Sequence, residues 1–298
     1  MPIIYRPARE ADLALADRLT VASINDLTER HGFGPMASPS PHPLQSFSLN
    51  DDPDGLWVAE DAGQMLGFAF SWMCGDLWFL AQLFISPDRQ NQGIGDALIS
   101  RTLEQTKKHN AKTKALITFA FNRASQSLYI RHGIFPQTPV HFFAAPCDAL
   151  RLTTSGLRSA PLSASAAHLR DLDAIDATAL GISRAKHHGY LLADAATKGL
   201  LFYADGGDCI GYAYVANGHV GPLAVTKQDA IAPALAAALA FGTEAGAAQV
   251  SAFIPGACHG ALRLAIESRM RMTFPMLLMA DRDFGDWSRY MPRNPGFM

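Results

Sequence analysis

The chain is short of the residues that would commit it to several large classes of protein. It has four cysteines in 298 residues, Cys74, Cys147, Cys209 and Cys258, far apart and with no CxxC pair. That spacing gives no basis for a disulfide framework and reads as reduced, mostly structural thiols in a cytoplasmic protein. Nothing near them in sequence marks a nucleophile. Charge is scarce as well: 17% of residues are charged, 25 basic against 27 acidic, for a net −2. There is no electrostatic case for a nucleic-acid or anionic-membrane partner. No apolar run reaches the roughly 18–20 residues of a membrane span. The opening Met1-Pro2-Ile3-Ile4-Tyr5-Arg6 lacks the charged head and small-residue cleavage site of a secretory signal. What is abundant is apolar surface, 49% of the residues, enough for sizeable cores and against global disorder. The length fits about two domains.

The most informative stretch is Leu83-Phe84-Ile85-Ser86-Pro87-Asp88-Arg89-Gln90-Asn91-Gln92-Gly93-Ile94-Gly95. An apolar strand runs into a polar turn with two glycines, and a helical pattern follows over residues 96–109. The first amides of a helix have no intrahelical acceptors, and the helix dipole adds partial positive charge, so this turn is an anion site. Upstream, residues 3–6 read as a strand and a helix opens at Glu10 to Asp12. Residues 31–54 read as loop and short helix. Residues 56–60 and 64–73 form a hairpin, and residues 77–85 a long apolar strand suited to a central, doubly covered position. Downstream, residues 114–121 form a strand, Asn122 caps a helix over 124–132 that Gly133 stops, and residues 140–143 form a last strand. The order β-α-loop-β-β-β-α-β-α-β requires a mixed sheet. A GxGxxG dinucleotide turn is absent, and no Lys-Ser/Thr follows the glycines as a P-loop would need.

Gln90-Asn91-Gln92-Gly93-Ile94-Gly95 resembles the Q/R-x-x-G-x-G/A motif of the GNAT superfamily of acyl-CoA-dependent N-acetyltransferases. Asn122, Ser125, Leu128, Tyr129 and Gly133 resemble that family's later motif, an Asn-initiated helix followed by glycine. The resemblance covers roughly residues 3–145 and implies an α/β fold with a mixed, mostly antiparallel central sheet flanked by helices. It implies that Leu83, Phe84 and Ile85 meet the pantetheine arm as an added strand. Gln90, Asn91, Gln92, Gly93, Ile94, Gly95 and Asp96 would surround the pyrophosphate, and Asn122 and Ser125 would flank the far side of the cofactor. Tyr129 would be catalytic, protonating the thiolate leaving group after an amine attacks the thioester. The expected activity is transfer of an acetyl or other acyl group from acetyl-CoA to an amine in a ternary complex, without a metal. The alternative is a non-catalytic acyl-CoA-binding or scaffold protein. A small-molecule amine or amino acid is the expected partner ahead of a protein amine, and a homodimer is possible. Three positions depart from the pattern: Asn91 stands where glycine is frequent, Ile134 replaces an aromatic after Gly133, and Asp96 places a carboxylate beside the expected phosphates. Asp76, Gln82, Glu29 and His31 are candidates for a general base, and none is singled out.

The second half repeats the element order. Residues 146–160 read as linker and 161–298 as a second, degenerate copy after a first domain at 1–145. Residues 165–179 read as a helix, 199–204 and 209–216 as a hairpin, 220–225 as a strand, 229–240 as a helix, 249–254 as a strand, 257–269 as a helix and 276–279 as a strand. The glycine turn is missing from Thr226-Lys227-Gln228-Asp229-Ala230-Ile231, and no tyrosine follows in the last helix. This layout resembles tandem-GNAT proteins with one intact and one degenerate copy. The second copy is expected to be structural, closing over the acceptor or building a dimer. Asp176, Arg184, His187, His188 and His219 are further polar candidates, with His187-His188 read as an exposed loop pair without metal spacing. Residues 287–290 read as a docking or crossover segment.

Overall fold

The computed structural model describes residues 2–152 and 156–298, which form two compact units. Unit 1 comprises residues 1–135 with 280–282; unit 2 comprises 136–279 with 283–298. Residues 153–155 of the expected linker lie outside the described residues.

Unit 1 runs β1 (Ile4–Pro7), α1 (Leu13–Arg30), α2 (Pro43–Asp51), β2 (Leu56–Asp61), β3 (Gln64–Cys74), β4 (Leu77–Ile85), α3 (Ile94–Lys108), β5 (Thr113–Phe119) and α4 (Arg123–Arg131). Its sheet has the order β1-β2-β3-β4-β5, antiparallel throughout except for the parallel β4–β5 pair. The long apolar runs predict central strands, and residues 66–74 of β3 and 77–80 of β4 are all buried. Helix α1 buries Leu13, Ala16, Leu19 and Ser23, and α3 buries Ile94, Leu98, Ile99, Thr102 and Gln105, both at helical spacing. Three buried polar side chains join in one network. Gln105 donates to Asp52 (2.5 Å), Ser71 donates to Gln105 (2.8 Å), and Asp52 accepts from the Met73 amide (2.9 Å). A satisfied network of this kind fixes the register of the elements it joins. The Arg6 fork binds Asp12 and Glu60 at 2.7–2.9 Å, tying β1 to the start of α1 and to β2. Residues 280–282 return to this unit, where the Asp281 amide donates to the Lys114 carbonyl and its carboxylate accepts from the Lys114 amide.

Unit 2 contains β6 (Phe135–Pro146), β7 (Arg158–Pro161), α5 (Ala166–Ala179), α6 (Ala185–Ala193), β8 (Lys198–Tyr203), β9 (Cys209–Ala216), β10 (His219–Val225), α7 (Ile231–Glu244), β11 (Gln249–Pro255), α8 (His259–Glu267), β12 (Arg271–Ala280) and β13 (Tyr290–Met291). Its strands follow the order β12-β6-β11-β10-β9-β8-β7, and β13 pairs β10. From β7 to α8 the order β-α-α-β-β-β-α-β-α repeats that from β1 to α4. The pairings repeat too: antiparallel β7–β8, β8–β9 and β9–β10, then parallel β10–β11. The repeat is more complete than the sequence suggests. Arg158–Pro161, which straddles the end of the expected linker, is the counterpart of β1. The strand expected to end the first half, β6, pairs instead with β11 over residues 140–146. His187 and His188 are not an exposed loop pair: they lie on α6 and are 0% and 1% exposed. Their polarity misleads locally because the groups that satisfy His188 come from α5 and β9, far away in sequence.

Candidate acyl-CoA site

The site in unit 1 begins where β4 leaves β5. The two strands pair in parallel only from Leu77 to Leu80. Ala81 is the extra residue of a bulge against β3, between the pairs Phe70–Gln82 and Ser71–Leu80. A bulge bends and twists the strand that carries it. Beyond it Leu83, Phe84 and Ile85 stay paired to β3, and among the described residues none is paired to β5. An open strand edge of this kind can bind an extended amide-bearing chain as an added strand. The Ile85 carbonyl is already engaged, accepting from the Ser23 hydroxyl of α1 at 3.1 Å.

The chain then passes through a single 3-10 turn, Pro87–Arg89, to Gln90-Asn91-Gln92-Gly93 and into α3. Asn91 and Gly93 both have left-handed backbone, at φ 63° and 78°. Asparagine is one of the few side-chain-bearing residues that tolerates this region, so it can do at 91 what glycine does in related turns. Gly93 is the N-cap of α3, and among the described residues no side chain caps that helix end. The amides of the first turn are therefore available to an anion. Gly95 serves close packing: a methyl there would lie 3.3 Å from Leu128 of α4 and 3.8 Å from Ile85 of β4. The open strand end, the turn and α4 thus converge at Gly95. Ile94 points its side chain inward and is 1% exposed, so only its backbone can serve a ligand. Gln90 and Gln92 are exposed. Asp96 has a partner that the sequence does not suggest: His132, at the end of α4, places Nε2 3.0 Å from its carboxylate. Arg89, 3.6 Å from Asp88, adds a cation within the turn.

Asn122 caps α4, accepting from the Ser125 amide at 3.2 Å. Asn122, Ser125 and Tyr129 share one helical face. Tyr129 is 5% exposed, with the Ser125 and Thr118 side chains as neighbours of its hydroxyl. Burial pushes the phenol up to about 12 against the opposing pull of those two neighbours. Ile134, where an aromatic is frequent, is fully buried.

The base candidates separate. Asp76 sits in the β3–β4 turn, 2.8 Å from Lys112, at the opposite end of β4 from the bulge. Glu29 is exposed on α1. Gln82, beside the bulge, accepts from Gln45 at 3.2 Å. His31 bonds the Leu27 carbonyl through Nδ1, and its ring lies 4.8 Å from that of Phe121.

In unit 2 the corresponding opening is filled by the chain itself. Strand β10 pairs in parallel with β11 only at His219 and Val220, and a register shift follows before Leu223. Leu223 and Ala224 pair with β9 on one side and with Met291 and Tyr290 of β13 on the other. Arg293 donates to the Gly221 carbonyl (3.2 Å), the Val225 amide donates to the Arg289 carbonyl (3.0 Å), and His219 Nε2 lies 2.5 Å from the Arg293 carbonyl. Residues 289–293 therefore lie where an extended ligand chain would add to β10. Beneath them is a buried polar cluster. Asp176 accepts from Tyr212 (2.5 Å) and lies 2.9 Å from His188 Nε2. His188 Nδ1 lies 2.9 Å from the Tyr214 hydroxyl, and Arg184 donates to Tyr290. Asp176, Arg184 and His188 thus come together, and His219 stands apart with Ser251 and Arg293. Among the described residues no group of three or more His, Cys, Asp or Glu could hold a metal, and no helix is long and apolar enough to cross a membrane.

Comparison with known proteins gives the same fold. Residues 22–134 match the acetyltransferase (GNAT) family. An uncharacterized N-acetyltransferase of Archaeoglobus fulgidus is 30% identical over 91 residues, 27% of this chain and 60% of that protein. The chain spans 41% and 60% of the length of curated relatives it matches. Among solved structures, an acetyltransferase-fold protein of Pyrococcus horikoshii superposes with a TM-score of 0.76 at 16% identity, covering 99% of this chain and 96% of that one. A tandem GNAT protein from the clavulanic acid biosynthesis pathway gives 0.61 at 13% identity, covering 94% and 98%. The second likeness extends through unit 2, so the chain has the fold of a tandem GNAT protein, and residues 22–134 match the sequence pattern of the acetyltransferase (GNAT) family.

Proposed function

We propose that the chain is an acetyl-CoA-dependent N-acetyltransferase that passes an acyl group directly to an amine. The observation that carries this reading is the convergence at Gly95 of an open strand end, an uncapped helix N-terminus and helix α4, which Asn122 caps and which carries Ser125 and Tyr129. Leu83 and Phe84 would hold the pantetheine amides, and the amides of residues 91–96 the pyrophosphate. The amine nitrogen bonds to the acyl carbon as the carbon–sulfur bond breaks. The thiolate takes the Tyr129 proton, the amine's surplus proton leaves to solvent, and the tyrosinate is reprotonated from solvent. A phenol held at about 12 keeps its proton at neutral pH, as this role requires. The relatives named as N-acetyltransferases are consistent with this chemistry. Isothermal titration with acetyl-CoA tests the reading: one molecule should bind per chain, and no binding to the purified protein would end it.

A second reading, a non-catalytic acyl-CoA-binding protein, is favoured by one observation. Tyr129 is buried, with Ser125 and Thr118 around its hydroxyl. Transfer assays against amines, amino acids and peptides separate the two.

A further inference from the structure

Just before the start of α4, unit 1 carries a set of rings that the transfer chemistry does not use. Phe121 directly precedes Asn122 in the chain. The ring of Phe33 stacks on it at 4.8 Å and 20°, His31 leans against it at 4.8 Å, and Phe119 lies 5.1 Å away. Phe119 ends β5, the strand that β4 leaves beyond Leu80. Helix α1, which leads into His31 and Phe33, reaches the open end of β4 through the Ser23–Ile85 bond. The rings are thus linked by short stretches of chain to both sides of the candidate acyl site.

Phe33 is 40% exposed even though it is stacked, and the loop that carries it is fastened down. The Phe33 amide donates to the Thr28 carbonyl (2.9 Å), and the Thr28 hydroxyl donates to the Gly34 carbonyl (2.7 Å). Asn25 accepts from the Met36 and Ala37 amides (2.9 and 2.8 Å) and donates to the Ala37 carbonyl (3.0 Å). An apolar ring held rigidly at the surface costs hydration free energy in the free protein, and a flat partner that covers it recovers that cost.

We propose that His31, Phe33 and Phe121 form the wall against which the acceptor lies, and that the acceptor is a primary amine carrying an aromatic or similarly flat group. The proposal rests on the acetyltransferase reading and narrows it. Such a wall does two things. It presents ring faces to a planar substituent, and it withholds water from the ammonium form, so that the neutral, attacking amine is favoured.

The test compares 2-phenylethylamine with n-hexylamine as acceptors in the full-length protein with acetyl-CoA. The aromatic amine should have a kcat/KM at least ~10-fold higher, the scale on which an apolar subsite discriminates. Phe33→Ala should erase that preference by raising KM for the aromatic amine ~10-fold with kcat nearly unchanged, and Phe33→Trp should retain it. An unchanged thermal midpoint and acetyl-CoA affinity establish that the variant is folded. Equal KM changes for both amines would overturn the proposal, as would a change in sedimentation behaviour with no change in amine kinetics, which would mark a self-association surface. Loss of acetyl-CoA binding by the wild type would instead defeat the parent reading. If acetyl-CoA binds but no amine is acylated, saturation-transfer NMR decides: a 2-phenylethylamine signal that Phe33→Ala abolishes supports the wall, and no signal with the wild type refutes it.

Discussion

The carboxylate of Asp96 lies 3.0 Å from Nε2 of His132, so the acid on the first turn of α3 is tied to the end of α4. An acid at a helix N-terminus stabilises the free helix but opposes an anionic ligand at the same place. The bond draws this carboxylate toward α4. Asp96→Asn should tighten acetyl-CoA binding ~2–5-fold, and His132→Ala should weaken it by a similar factor, corresponding to about 0.3–1 kcal/mol at a helix terminus. Titration calorimetry at low ionic strength reads both. Opposite signs for the two variants are the essential outcome.

Tyr129→Phe should lower kcat by ~100-fold or more while the acetyl-CoA dissociation constant stays within about threefold, because the phenol acts on the leaving group. With the phenol at about 12, kcat should show no alkaline decline from Tyr129 up to about pH 10. A decline near pH 8–9 that vanishes in Tyr129→Phe would contradict the assignment.

At position 91 the backbone conformation matters more than the side chain. Asn91→Gly should retain acetyl-CoA binding, whereas Asn91→Ala must adopt φ 63° without local hydrogen-bonding help, at about 1–2 kcal/mol. The thermal midpoint and the dissociation constant should both move for alanine and stay for glycine.

In unit 2 the opening along β10 is occupied by residues 289–293, so acetyl-CoA should bind once per chain and not twice. Tyr290→Phe removes the hydroxyl that accepts from the buried Arg184. Stability should fall by ~1–3 kcal/mol, the usual cost of removing one partner from a buried polar pair. Chemical denaturation measures the loss, and an unchanged midpoint would show that the contact contributes nothing.

Burial holds four histidines of unit 2 below the ~6.5 of a free imidazole, His141 and His188 among them, His187 strongly and His219 down to about 4. The unfolded chain therefore binds the extra protons. The stability these groups confer is present above about pH 6.5 and is lost as pH falls, for His219 until about pH 4, with a slope of up to ~1.4 kcal/mol per pH unit for each. Calorimetry from pH 7.5 to 4.5 should show the thermal midpoint dropping, and His219→Gln should flatten part of that slope.

The amino-acid order alone was enough for whatever depends on neighbours in the chain. The periodicity of residues 77–85, the glycine turn, the Asn122 cap and the Gly133 stop are local, and the corresponding elements are found within a few residues of where they are expected. The internal repeat was legible for the same reason: it is an order of elements. Tertiary structure decided everything that depends on distant partners. A strand of four residues, β7, has no signal until β8 pairs with it. Strand β6 reads as the end of the first half because it follows α4, yet its hydrogen bonds go to β11. The adjacent histidines 187 and 188 look exposed until Asp176 and Tyr214 satisfy His188 inside the core. Asp96 looks like an isolated charge until α4 brings His132 to it. The tail at 287–290 looks like a docking segment, and its actual place as an added strand on β10 follows from backbone groups that any sequence carries. Spacing along the chain encodes periodicity, caps and turns. The pairing of polar groups and strand edges is set by the folded chain, where burial makes each unmet hydrogen bond costly.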